Sequence, residues 1–147
     1  MKILWRNFPI PEPYIAALLA GGGVQFFVPT AILPPAAIWA PTGLVLIVAG
    51  ITLCLWAALA ARDNDLERPA VLMTGGPYAF SRNPMYLGWA LIMVGLSLWF
   101  NSLWLAITTL AAWLYINFMT IAAEERTLQL NFGAEYAAYH KRVRRWL

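Results

Sequence analysis

Residues 13–61 read PYIAALLAGGGVQFFVPTAILPPAAIWAPTGLVLIVAGITLCLWAALAA and contain no Asp, Glu, Lys, Arg or His. Residues 83–123, NPMYLGWALIMVGLSLWFNSLWLAITTLAAWLYINFMTIAA, are equally free of charge. A helix on the surface of a soluble domain keeps a polar face, and neither stretch can supply one. A membrane-crossing helix needs about 20 apolar residues for a hydrocarbon core about 30 Å thick. The first stretch therefore holds two spans, 14–33 and 41–61, separated by Pro34-Pro35. The second holds a shorter one, 85–100, and a fuller one, 103–123, joined by Asn101-Ser102. At a rise of about 1.5 Å per residue the third span is short for a full crossing, which predicts tilt or local thinning. The predicted fold class is all-α: a polytopic membrane helical bundle of about four transmembrane helices, a cytoplasmic loop and a C-terminal amphipathic helix. A single domain covers residues 1–147, with two spans in 1–61 and the functional half in 62–147.

The charges sort to one side. Every Lys and Arg lies in the N-terminal stub (Lys2, Arg6), the middle segment (Arg62, Arg68, Arg82) or the tail (Arg126, Lys141, Arg142, Arg144, Arg145). Four spans put all three segments on one face, which the positive-inside rule makes cytoplasmic, both termini included. Hydrophobic residues make up 61% of the chain and charged ones 12%, against about 25% charged in soluble domains. Trp39, Trp99 and Trp104 fall near the far-side turns, where indole rings favour the headgroup level. The basic tail suits anionic lipid headgroups, at about 1 kcal/mol per residue, and not nucleic acid. Cys54 is the single cysteine and lies mid-span, so neither a disulfide nor a cysteine metal site forms within one chain. The sequence offers no metal-ligand cluster, and it leaves monomer and dimer open.

The middle segment opens with Arg62-Asp63-Asn64-Asp65-Leu66-Glu67-Arg68-Pro69. Three acids in five residues resemble a cation loop, but the glycine turn and distal glutamate of a calcium loop are absent, so a solvated turn is the better account. A short strand-like run, Ala70-Val71-Leu72-Met73, closes on Gly75-Gly76-Pro77, a turn signal. Pro84 suits a first helical turn, with Ser81 or Asn83 as its cap. The fourth span runs without a break into Glu124-Glu125. Such a pair is either a helix end entering water or a site that needs a cation or donors nearby. Beyond it Leu128, Phe132, Tyr136 and Tyr139 share one face, an apolar stripe on an interfacial helix bent at Gly133. His140 reads as a surface residue.

This polar face combines backbone groups, the aromatic rings of Tyr78 and Tyr86, the carboxylates of Glu124 and Glu125, and the planar fork of Arg82. The set suits S-adenosylmethionine: aromatic faces and carboxylates attract a sulfonium, and carboxylates accept ribose hydroxyls. A nicotinamide dinucleotide calls for more positive charge. From the residues alone, an enzyme and a structural or interaction membrane protein both stand.

Gly76-Pro77-Tyr78-Ala79-Phe80-Ser81-Arg82-Asn83-Pro84-Met85-Tyr86-Leu87-Gly88 resembles the G-x-Y-x-x-x-R-[HN]-P-x-Y-x-G signature of integral-membrane methyltransferases, the isoprenylcysteine carboxyl methyltransferases and phospholipid N-methyltransferases. Glu124-Glu125-Arg126-Thr127-Leu128, followed by Phe132-Gly133, Tyr136, Tyr139 and Arg142-Val143, is similar to the same family's second block. The resemblance implies that S-adenosylmethionine binds between loop and tail without a Rossmann fold. It also implies that Val71, Leu72 and Met73 line the donor with backbone groups, and that Tyr78, Asn83, Pro84, Met85, Tyr86 and Glu124 hold it. Glu125 and Arg82 are then candidates to orient a lipophilic acceptor entering from the bilayer, prenylcysteine carboxylate-like or phospholipid amine-like. Gly21-Gly22-Gly23 reads as close helix packing. Asn83 stands where prenylcysteine enzymes usually show His. Thr120 stands where they place an arginine facing the substrate carboxylate, which points to a neutral or amine acceptor. A nicotinamide-dependent membrane reductase relative and a non-catalytic membrane subunit are the alternatives.

Overall fold

The computed structural model describes residues 11–34, 37–62 and 71–147. The acidic turn bearing Asp63, Asp65 and Glu67 lies outside the described residues, as do Lys2, Arg6, Arg68 and Ala70. The described helices are α1 (Glu12–Phe27), α2 (Trp39–Ala60), α3 (Pro84–Trp99), α4 (Leu103–Tyr115) and α5 (Ile121–Arg142). A 3₁₀ turn, Gly76–Ala79, precedes α3, and a π-helical turn, Ile116–Thr120, joins α4 to α5. Among the described residues, two helical segments are long and apolar enough to cross a membrane, Trp39–Ala60 and Leu103–Arg142.

Three expectations change. The first span ends at Phe27 rather than 33: Val28 leaves the helix at φ −132° because Pro29 disfavours a helical residue before it. At 16 residues each, α1 and α3 reach about 24 Å. No strand exists among the described residues. Val71-Leu72-Met73 is irregular, and no strand among the described residues pairs with it. The fourth span is not one regular α-helix, because the π turn inserts a wider ring between α4 and α5.

Helix α3 packs along α2 on one side and α4 on the other, while α1 pairs with α4. Two glycine pairs seven residues apart, Gly43 opposite Gly95 and Gly50 opposite Gly88, set the α2–α3 spacing. A Cβ at Gly50 would lie 2.5 Å from the Gly88 carbonyl oxygen, and one at Gly88 2.5 Å from Cys54 Sγ. Small residues let backbones approach where hydrocarbon offers no hydrophobic drive. The Gly21-Gly22-Gly23 run does this at Gly21 only, against the Trp104 carbonyl; Gly22 and Gly23 face open space. Replacing Gly88 with Val should therefore destabilise the bundle by about 1–3 kcal/mol, whereas Gly22→Ala should not. Thermal unfolding of the two variants in detergent checks the contrast.

Large apolar side chains point outward along the rods, among them Leu19, Phe26, Val45, Leu110 and Phe118. A surface this apolar suits lipid rather than water. At the far turns Asn101 adopts φ 45°. Its side chain accepts from the Ile32 and Leu33 amides at 3.1 and 3.0 Å and donates to the Leu33 carbonyl at 2.9 Å. Ser102 caps α4 by accepting from Leu105 N. The indoles of Trp39 and Trp104 donate to the Pro34 and Val28 carbonyls, each at 2.9 Å, so these expected anchors also tie the α1–α2 connection.

Candidate active site

The other end of the bundle carries the polar residues. Gly76 takes φ 60°, a left-handed conformation that glycine adopts freely. The chain then turns through Pro77 and Tyr78 into the buried Ser81. Pro84 starts α3 with Asn83 in the N-cap position as expected, but the Asn83 side chain makes no capping bond. Ser81 Oγ accepts from Asn83 N at 3.1 Å, and both it and Asn83 Nδ2 donate to the Arg145 carbonyl at 3.2 Å. Arg82 N donates to the Arg144 carbonyl at 3.0 Å. The competing acceptor is the C-terminal tail, which lies across this turn.

Gly133, at φ 48° and ψ −115°, breaks α5 where the bend is expected. The stripe it carries turns inward, not toward lipid headgroups. Tyr136, Tyr139 and Val143 bury against Leu72, with Leu128 and Phe132 half-buried beside them. Tyr139 Oη donates to the Tyr78 carbonyl at 2.7 Å, fastening α5 to the turn before α3. His140 is exposed, with its ring edge-on to Tyr136.

Between turn and helix lies a cavity of about 580 Å³, inside the range of small-molecule sites. Its walls include all eleven residues expected from the sequence: Val71, Leu72, Met73, Tyr78, Arg82, Asn83, Pro84, Met85, Tyr86, Glu124 and Glu125. Leu128, Tyr136 and Tyr139 also line it, although their spacing suggests a membrane-facing stripe. Thr120 is not among the lining residues.

The adjacent glutamates have different surroundings. Tyr86 Oη donates to Glu124 Oε1 at 2.5 Å, a bond across 38 residues that joins the two sequence blocks. Glu124 opens onto the cavity, one residue past the apolar span. Burial of its carboxyl raises its pKa, the Tyr86 hydrogen bond opposes the shift, and Glu125 adds to it. Burial likewise pushes the Tyr78 phenol up, with Tyr139 and Glu124 contributing, so the ring stays neutral.

Glu125 is fully engaged. Its Oε1 lies 3.0 Å from Arg82 Nη2 and accepts from Arg145 Nε at 3.2 Å; its Oε2 lies 2.5 Å from Arg145 Nη2. The Arg82 side chain is 7% exposed and that of Arg145 31%. Arg145 also donates through Nη1 to the carbonyl of Asn117, in the π turn, at 3.2 Å. The Asn117 side-chain oxygen accepts from Trp146 Nε1 at 3.1 Å, and the Trp146 ring sits 5.7 Å from that of Trp113. Arg145, Asn117 and Trp146 are site-supporting residues that no local spacing reveals.

A donor with a sulfonium, ribose hydroxyls and an adenine fits this set. The cavity offers one carboxylate with no ion-pair partner among the described residues, neutral aromatic rings and apolar walls beside a doubly paired carboxylate.

The profile of the phospholipid methyltransferase family matches residues 38–135. A protein-S-isoprenylcysteine O-methyltransferase of Tribolium castaneum is 31% identical over 144 residues, covering 90% of this chain and 50% of that protein. A protein of the same name from Xenopus laevis is 33% identical over 109 residues, 69% of this chain and 38% of that protein. The solved structure of a eukaryotic intramembrane Ras methyltransferase, an isoprenylcysteine carboxyl methyltransferase, aligns with TM-score 0.70 and 27% identity. That alignment covers 90% of this chain and 49% of the other. The chain thus spans half or less of the length of these relatives.

Proposed function

We propose that this chain, which belongs to the phospholipid methyltransferase family, is an integral membrane enzyme that methylates a lipophilic acceptor at the cytoplasmic face, with S-adenosylmethionine as donor. The carrying observation is the Tyr86–Glu124 hydrogen bond at 2.5 Å, which joins the family's two sequence blocks at one cavity. The topology that goes with it has four crossings and both termini in the cytoplasm. In its support, the described basic residues Arg62, Arg82, Arg126, Lys141, Arg142, Arg144 and Arg145 follow α2, precede α3 or lie on α5 and the tail. Exposed Lys141, Arg142 and Arg144 face anionic headgroups, while Arg145 is held by Glu125.

S-adenosylmethionine supplies an electrophilic methyl group for direct displacement by the acceptor. Glu124 and the Tyr78 ring attract the donor's positive charge, with Tyr86 fixing the carboxylate. The backbone of residues 71–73, with Asn83, Pro84 and Met85, shapes the adenosine end. Catalysis of such a transfer is mostly alignment, so rigid walls matter more than a strong base. Glu125 spends both oxygens on guanidinium groups and acts as a positioning residue for Arg82 and Arg145. An amine acceptor would give up its proton to Glu124, whose raised pKa suits it to that task.

Transfer of radiolabelled methyl from S-adenosylmethionine into the organic phase of a lipid extract tests the activity. Label that requires intact Glu124 supports it, and label at the level of a protein-free control opposes it. The raised Glu124 pKa also fixes a pH dependence. The donor's cation favours the ionised carboxyl, so affinity is full above the raised pKa of the free protein and falls as pH drops through it. The loss therefore begins at a higher pH than for an ordinary carboxylate, about 4.3 for Glu. Titrations of S-adenosylmethionine across pH should show this slope for the native protein and none for Glu124→Gln.

A further inference from the structure

Three buried polar atoms on side chains that line the cavity have no hydrogen-bond partner among the described residues: Arg82 Nε, Arg82 Nη1 and Tyr136 Oη. The Arg82 side chain is 7% exposed and Tyr136 3%. Only Nη2 of Arg82 reaches Glu125, at 3.0 Å. Tyr136 shares the cavity wall with Arg82 and Glu125.

Buried polar groups are nearly always hydrogen-bonded, and leaving one unsatisfied costs about 1–3 kcal/mol, more for a charged group. Nε and Nη1 lie on different edges of the guanidinium, so with the phenol O–H they present three separate donors. Their common complement is an oxyanion, whose several lone-pair sites can accept from separate donors. A cation would leave all three donors without an acceptor, and a neutral amine, with one lone pair, could accept from only one of them. Arg82 and Arg145 both pair with the carboxylate of Glu125, so Arg82 is not fully neutralised by a carboxylate of its own.

We infer that Arg82 and Tyr136 form an oxyanion-binding subsite of this cavity, taking a carboxylate or phosphate. The inference rests on the proposed methyl-transfer reading and deepens it. The sequence reading at Thr120 points to a neutral or amine acceptor, whereas this subsite supplies anion recognition from a different element. Its occupant is either the α-carboxylate of the methyl donor or an anionic head on the acceptor.

Tyr136→Phe removes one donor and keeps the ring that packs on Leu72 and Tyr139. Arg82→Ala could fail to fold because it unpairs Glu125, so the phenylalanine variant is the working probe. Two arms separate the sources. In the first, S-adenosylhomocysteine and 5′-methylthioadenosine, which lacks the amino acid end, are titrated into the native protein and the variant. A loss of about tenfold for S-adenosylhomocysteine alone assigns the subsite to the donor's carboxylate. In the second, oleate, oleyl phosphate and methyl oleate compete by thermal shift in phosphatidylcholine vesicles, with and without S-adenosylhomocysteine. Preference for the anionic lipids over the ester that falls about tenfold in Tyr136→Phe assigns it to the acceptor. Equal behaviour of variant and native protein in both arms overturns the subsite. Silence of S-adenosylhomocysteine in the native protein counts against the donor reading, and the second arm without it then still decides the subsite.

Discussion

Replacing Glu124 with glutamine should reduce binding of S-adenosylmethionine by about 10- to 100-fold while leaving the fold intact. The affinity loss corresponds to a hydrogen bond or contact with a charged group, about 1.5–3 kcal/mol. Stability should not fall, and the sign follows from the pKa. Desolvation at the cavity raises the Glu124 pKa in the folded chain, so at neutral pH the ionised side chain works against folding, weakly because the residue is exposed and solvent screens its charge. That cost grows as pH rises above the unfolded value. Glutamine removes it and can still accept from Tyr86 Oη. Calorimetric titration of donor into Glu124→Gln, beside its thermal unfolding midpoint, measures both halves. Near-normal affinity in a folded variant would remove Glu124 from the donor site.

Glu125→Ala should do the reverse and damage the fold. Its carboxylate holds Arg82, 7% exposed, and Arg145, 31% exposed. Removing one partner of a buried ion pair costs about 3–5 kcal/mol, because a charge is left uncompensated. Arg145 is partly solvated, so the low end applies, a fall in unfolding midpoint on the order of 10 °C. The tail should loosen with it, since Arg145 also holds Asn117 in the π turn. Joint replacement of Arg82 and Glu125 by methionine should recover part of the loss, as apolar substitution of whole buried pairs often does. Glu125→Ala unfolding at the native midpoint would show that the network carries no structural weight. Two neighbouring glutamates would then differ only in name, against the environments seen for each.

Much of the architecture is legible in residue types. Charge-free stretches mark apolar helices because hydrocarbon excludes charge, and this rule located α2 and α3 to within a few residues. It overextended α1, since hydropathy continues through Val28 while Pro29 ends the helix. A one-residue widening such as the Ile116–Thr120 turn leaves no mark in an apolar run, where every face is alike. Periodicity correctly put Leu128, Phe132, Tyr136 and Tyr139 on one face but could not say what that face meets. A tyrosine stripe packs as readily on a loop as on lipid, and here Leu72 and the Tyr78 carbonyl take it. The cavity's eleven expected residues came together because both blocks resemble one family. Arg145 did not stand out among four neighbouring basic residues, because its partner lies 20 positions away and long-range ion pairs carry no local spacing.

The central claim is donor binding, and calorimetric titration of S-adenosylmethionine and S-adenosylhomocysteine into the detergent-purified, lipid-replete protein tests it most directly, with NADPH as control. The expected result is micromolar affinity for the adenosyl pair, about −8 kcal/mol, and no heat from NADPH. Silence for both adenosyl ligands in a folded protein, or binding of NADPH in their place, would contradict it.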